Sequence, residues 1–87
     1  MNEKMTIGNI KDSTDIELEL GYIANFEVEI KLVNNIKEVI LTTTNLLFKS
    51  DFEKLKKYFD KYDYEFNAID VFRDCLVLYY ESIKEMV

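Results

Sequence analysis

The sequence predicts an α+β domain, a three-stranded antiparallel sheet followed by two helices (β-β-β-α-α), with the helices packed on one sheet face. Three observations predict it. Asp15-Ile16-Glu17-Leu18-Glu19-Leu20 alternates strictly between apolar and acidic residues, and Phe26-Glu27-Val28-Glu29-Ile30-Lys31-Leu32 echoes the pattern. Side chains along a strand point to opposite faces in turn, so each run offers one apolar row and one charged row. Ser50-Asp51-Phe52-Glu53 then reads as a capping box opening a segment with apolar residues at helical spacing.

Residues 1–14 form a polar lead-in, with a short edge strand expected at Met5-Thr6-Ile7 and a turn through Asn9, Asp12 and Ser13. The first main strand is expected over about 15–23 and ends at a turn at Ala24-Asn25; the second runs from about 26 to 33. Together they would bury Ile16, Leu18, Leu20, Phe26, Val28, Ile30 and Leu32. Asn34-Asn35 follows, and Asn tolerates the positive φ that a two-residue hairpin turn demands. Counting outward from that turn sets Ile30 opposite Val39, Val28 opposite Leu41 and Lys31 opposite Glu38, a self-consistent register for a third strand over about 36–43.

The first helix, capped by Ser50 with Glu53 reaching back, carries Phe52, Leu55, Phe59 and Tyr62 on one stripe and Lys54, Lys57 and Lys61 outside. For the rest of the chain, Asn67 can cap a second helix over about 68–86, with Ile69, Phe72, Leu76, Tyr79 and Ile83 on one face. Val77 and Tyr80 fall on its other side and are candidate oligomer contacts, which makes a homodimer possible through this helix. A competing reading makes Leu76 to Tyr80 a strand, after another at Tyr62-Asp63-Tyr64-Glu65-Phe66. The helix is preferred because Glu81 to Met86 continues its period.

Composition bounds the function. Residues 1–87 make one domain, with 48% hydrophobic residues, six Tyr and six Phe to fill a core. A net charge of −6 disfavours direct binding to nucleic acid or anionic membrane and favours basic surfaces. The lone Cys75 rules out an internal disulfide and reads as a small buried hydrophobe. The chain has no His, the commonest general base and metal ligand, and two isolated glycines make no phosphate-cradling loop. No cofactor, metal site or catalytic residue is expected, and the chain is read as non-enzymatic. No basic, apolar leader and no membrane span is apparent, so a cytoplasmic location is expected.

Paired carboxylates such as Glu17 with Glu19, or Glu27 with Glu29, can serve acid–base chemistry only in a pocket that separates their pKa values, whereas these alternate on an open sheet face. Along a strand they stand roughly 6.5–7 Å apart, too wide for one hard cation without help from a loop. The five lysines from Lys49 to Lys61 carry a local charge of only +2 and read as a solvated helix face. What remains is a recognition surface of Glu17, Glu19, Glu27, Glu29 and Glu38, a regular carboxylate row able to compete with a nucleic-acid backbone for a basic groove.

In size, acidity, absence of catalytic residues and three-strand-plus-helix layout, the chain resembles the small phage-encoded anti-CRISPR proteins and other DNA-mimic inhibitors. The likeness is of type across the whole chain, and it carries over no site residue. It implies an inhibitor that binds a nuclease complex where DNA or RNA should bind. A phage origin would place it in the host cytoplasm.

Overall fold

The computed structural model describes residues 12–83, which form α1 (Ser13–Glu19), β1 (Glu27–Val33), β2 (Ile36–Thr43), α2 (Lys49–Asp60), β3 (Tyr64–Val71) and β4 (Leu76–Ser82). The order is therefore α-β-β-α-β-β, with four antiparallel strands arranged β1-β2-β4-β3, and not three strands followed by two helices. The edge strand expected at Met5-Thr6-Ile7 lies outside the described residues.

The segment expected to be the first strand is α1. Asp12 caps it, its Oδ1 accepting the Asp15 N–H at 2.9 Å. Ile16, Leu20, Ile23 and Ala24 follow at i, i+4, i+7 and i+8, and all pack into or against the core. Leu18, which the alternation would bury, is 76% exposed on the opposite side.

The β1–β2 hairpin has the expected register, pairing Ile30 with Val39, Val28 with Leu41 and Lys31 with Glu38. Asn34 and Asn35 both take positive φ (52° and 65°), the turn conformation whose twist matches the flanking strands. Val28 and Ile30 pack against the core, whereas Leu32, expected inside, is exposed. Placing a Cβ in the left-handed region costs about 1–2 kcal/mol for a residue without Asn's local hydrogen bonding. Asn35→Ala is therefore expected to lower stability by about 1 kcal/mol and Asn35→Gly to preserve it, as read by urea unfolding.

α2 carries the expected stripe: Leu55, Tyr58 and Phe59 are buried, with Phe52 and Tyr62 packed beside them. Its cap is displaced from the predicted one. Phe48 is the N-cap, and the Asp51 carboxylate, not Glu53, reaches back to accept the Phe48 N–H at 2.8 Å. Ser50 thus lies inside the first turn.

The expected second helix is two strands. Asp63 adopts φ 59° after α2 and turns the chain into β3; Arg73-Asp74 closes the next hairpin, where the Phe72 N–H donates to the Cys75 carbonyl at 2.9 Å. β4 lies between β2 and β3 and packs Leu78 and Tyr80 into the core. Its continuous apolar run is that of an interior strand. Ile69, Phe72 and Ile83, assigned to the buried face of that helix, are exposed. Both helices cover the same sheet face, where Ile16, Leu20, Leu55 and Phe59 meet Val39, Leu41, Leu78 and Tyr80. Asn45 ties the two loops at one end, its Oδ1 accepting the Asn25 N–H at 2.8 Å.

Candidate functional site

The sheet face away from the helices is uncovered by any described element, and pairing register fixes which side chains share it. Three cross-strand rows follow from the partners. Lys31, Glu38, Glu81 and Glu65 form one; Glu29, Ile40, Tyr79 and Ala68 the next; Glu27, Thr42, Val77 and Asp70 the third. The face thus carries six carboxylates and, among the described residues of its strands, Lys31 as its one cation. The Lys31 ammonium stands 4.0 Å from Glu29 on its own strand. Directly opposite side chains lie roughly 4.5–5.5 Å apart at Cβ, and i, i+2 neighbours roughly 6.5–7 Å apart, so the acids make a two-dimensional grid.

The middle of the face is less polar. Ile40 is buried there, and Val77 and Tyr79 are half-buried. The Tyr79 hydroxyl donates to Asp70 Oδ2 at 2.8 Å, a bond that holds the proton and raises the Tyr79 pKa, with desolvation and the charges of Asp70 and Glu38 adding.

Of the sequence-predicted acids, Glu27, Glu29 and Glu38 are on this face and Glu17 and Glu19 are not, because α1 replaces the expected strand. Glu17 Oε2 accepts the Val28 N–H at 3.1 Å and so covers part of the β1 edge. Glu19 accepts the Tyr58 hydroxyl at 2.7 Å; burial first, then that bond and charge, push the Tyr58 pKa far above its usual value. The predicted oligomer contacts are also strand residues: Val77 sits on the open face, and Tyr80, 3% exposed, stacks on Phe59 inside the monomer.

Glu65, Asp70 and Glu81 complete the face and were missed. Glu65 and Asp70 have opposite parity in the sequence, so simple alternation puts them on opposite sides of β3. A bulge between Phe66 and Ala68 resets the parity and brings them together. The only sequence signal was Asn67, a poor strand residue at the place of the bulge.

Among the described residues no cluster of three or more acidic or thiol side chains could hold a metal ion. No helix of the described residues is long and apolar enough to cross a membrane. Comparison with protein families, with curated proteins and with solved structures finds no match to this chain.

Proposed function

We propose that this chain is a non-enzymatic binding protein whose acidic sheet face docks on a basic, nucleic-acid-binding surface of another protein and inhibits it by excluding nucleic acid. The observation that supports this reading is the row Glu38, Glu81, Glu65, three glutamates directly opposite one another on adjacent strands. Like charges in that position destabilise a sheet. A small domain that retains such a row forgoes stability, as functional surfaces commonly do. The grid of carboxylates around an apolar centre offers charge for steering and Tyr79 and Val77 for contact. The partner class is a protein whose groove holds a nucleic-acid backbone, such as the nuclease complexes that DNA-mimic inhibitors block.

Stability and binding should then move in opposite directions. Glu81→Gln relieves two opposed pairs and is expected to raise stability by about 0.5–1 kcal/mol, a rise in melting temperature of roughly 2–8 °C. The triple reversal of Glu29, Glu38 and Glu81 to Lys should leave a folded chain that no longer captures its partner. Affinity capture from the native cells, with both proteins as baits, reads this out. Wild type is expected to retain a basic nucleic-acid-binding protein that moderate salt or added duplex DNA or RNA displaces. A captured partner indifferent to the reversal, to salt and to nucleic acid would sink the proposal.

A further inference from the structure

The two edges of the sheet differ. On β1 the outward Val28 N–H is occupied by Glu17, and charged residues Glu27, Glu29 and Lys31 alternate along the strand. On β3 no described element lies alongside. Which backbone groups of β3 face outward follows from two hydrogen bonds. Ile83 N–H donates to the Asp63 carbonyl at 2.9 Å, and Phe72 N–H to the Cys75 carbonyl at 2.9 Å. In an antiparallel ladder bonded and non-bonded pairs alternate, so on either side of the bulge Phe66, Ile69 and Val71 turn their N–H and C=O away from β4.

The same three residues turn their side chains to the helix-covered side, opposite Tyr80, Leu78 and Leu76. There they remain 50%, 40% and 73% exposed, because α2 covers β3 only near Tyr64. At Phe66 they adjoin a largely apolar groove of about 580 Å³, whose lining includes Phe52, Phe59, Tyr80 and Ile83 together with the charged Lys56 and Asp60. On the other side of the same strand stand Glu65 and Asp70, both exposed.

We propose that β3 is a strand-addition site for an extended peptide segment of a partner protein in which apolar and basic residues alternate. Cross-strand pairing fixes that chemistry. Apolar side chains of the added strand meet Phe66, Ile69 and Val71 and reach the groove, while its basic side chains fall opposite Glu65 and Asp70. A second copy of this chain is the poorer occupant, since it brings the same acids and another net charge of −6. The site borders the open face and shares Glu65 and Asp70 with it, but neither reading requires the other.

The test adds to the full chain a decapeptide of alternating valine and lysine, against a decapeptide of the same composition in two blocks. Binding is followed by fluorescence anisotropy and by amide exchange. The alternating peptide should bind about tenfold more tightly than the block peptide, a difference of about 1.4 kcal/mol. It should slow exchange of the Phe66, Ile69 and Val71 amides. Val71→Asp should erase that preference, as should Ile69→Pro, which removes an outward N–H and an apolar contact but no hydrogen bond to β4. Glu27→Lys with Glu29→Lys, on the open face at the far edge of the sheet, should leave the preference and the amide protection intact. Equal binding of both peptides overturns the proposal, as does protection at β1 instead. So does a dimer of the chain alone that Val71→Asp dissociates, for then the occupant is a second copy.

Discussion

Phe59→Ala is expected to remove about 3–5 kcal/mol of stability, the range for truncating a fully buried aromatic side chain. For a domain of this size that is a large part of the total, at roughly 0.05–0.15 kcal/mol per residue. Phe59 is fully buried and joins α2 to the last two strands. Its ring stacks on Tyr80 at 4.1 Å and 14°, meets Tyr58 edge-to-face at 5.2 Å, and leans on Tyr64 at 6.1 Å. Such aromatic pairs contribute about 0.5–1.5 kcal/mol each beyond the area they bury. Truncation leaves a void between a helix and a sheet whose backbones are held by their own hydrogen bonds, so little collapse can fill it. Phe59→Leu keeps most of the volume and should lose much less. Phe52→Ala, half-buried on the same helix at the groove, is the control and should cost well under half as much. Urea unfolding measures all three. A loss below about 1 kcal/mol for Phe59→Ala would show that α2 is not seated on the sheet through this residue.

What the sequence disclosed follows from how local each signal is. The β1–β2 hairpin is written within one short stretch: Asn34-Asn35 supplies the turn, and the register across it can be counted residue by residue. The stripe of α2 is equally local. α1 was misread because Ile16, Leu18 and Leu20 satisfy a period of two, while Ile16, Leu20, Ile23 and Ala24 satisfy the helical period over a slightly longer window. The Asp12 cap and burial against β1 favour the second pattern. The C-terminal half was misread for a different reason. Its turns use Asp63 and Arg73-Asp74 without Gly or Pro, and a strand buried between two others is apolar throughout, as a buried helix would be. Half of the acidic face was therefore legible, in Glu27, Glu29 and Glu38. The other half depends on pairing β4 beside β2 and on a bulge at Asn67, and neither is a local property.

Alkali should unfold this protein well before it affects most domains of its size, because its core is closed by phenols. Burial pushes Tyr80 up to about 12 and raises Tyr64 further; Tyr58, also bonded to Glu19, is raised as well. In the unfolded chain each titrates at about pH 10. Below that value all three are protonated in both states, and their contribution to stability is fully present. Above it the unfolded chain releases protons that the folded chain must keep, so stability falls as pH rises. Each tyrosine contributes a slope of roughly 1 kcal/mol or slightly more per pH unit until its folded pKa is reached. For Tyr80 the loss is complete near pH 12 and amounts to roughly 2–3 kcal/mol. The three together should steepen the decline to about 4 kcal/mol per pH unit, enough to unfold a marginal domain within about two units of onset. Thermal melts by circular dichroism between neutral pH and about pH 12 measure the slope, and tyrosinate absorbance shows whether ionisation and unfolding coincide. Tyr80→Phe keeps the ring against Phe59 and has no proton to lose, so its decline should begin at the same pH and run about one third shallower. A melting temperature that stays flat to about pH 11 would contradict the burial of these hydroxyls. Ionisation of all six tyrosines near pH 10 in a chain that remains folded would do the same.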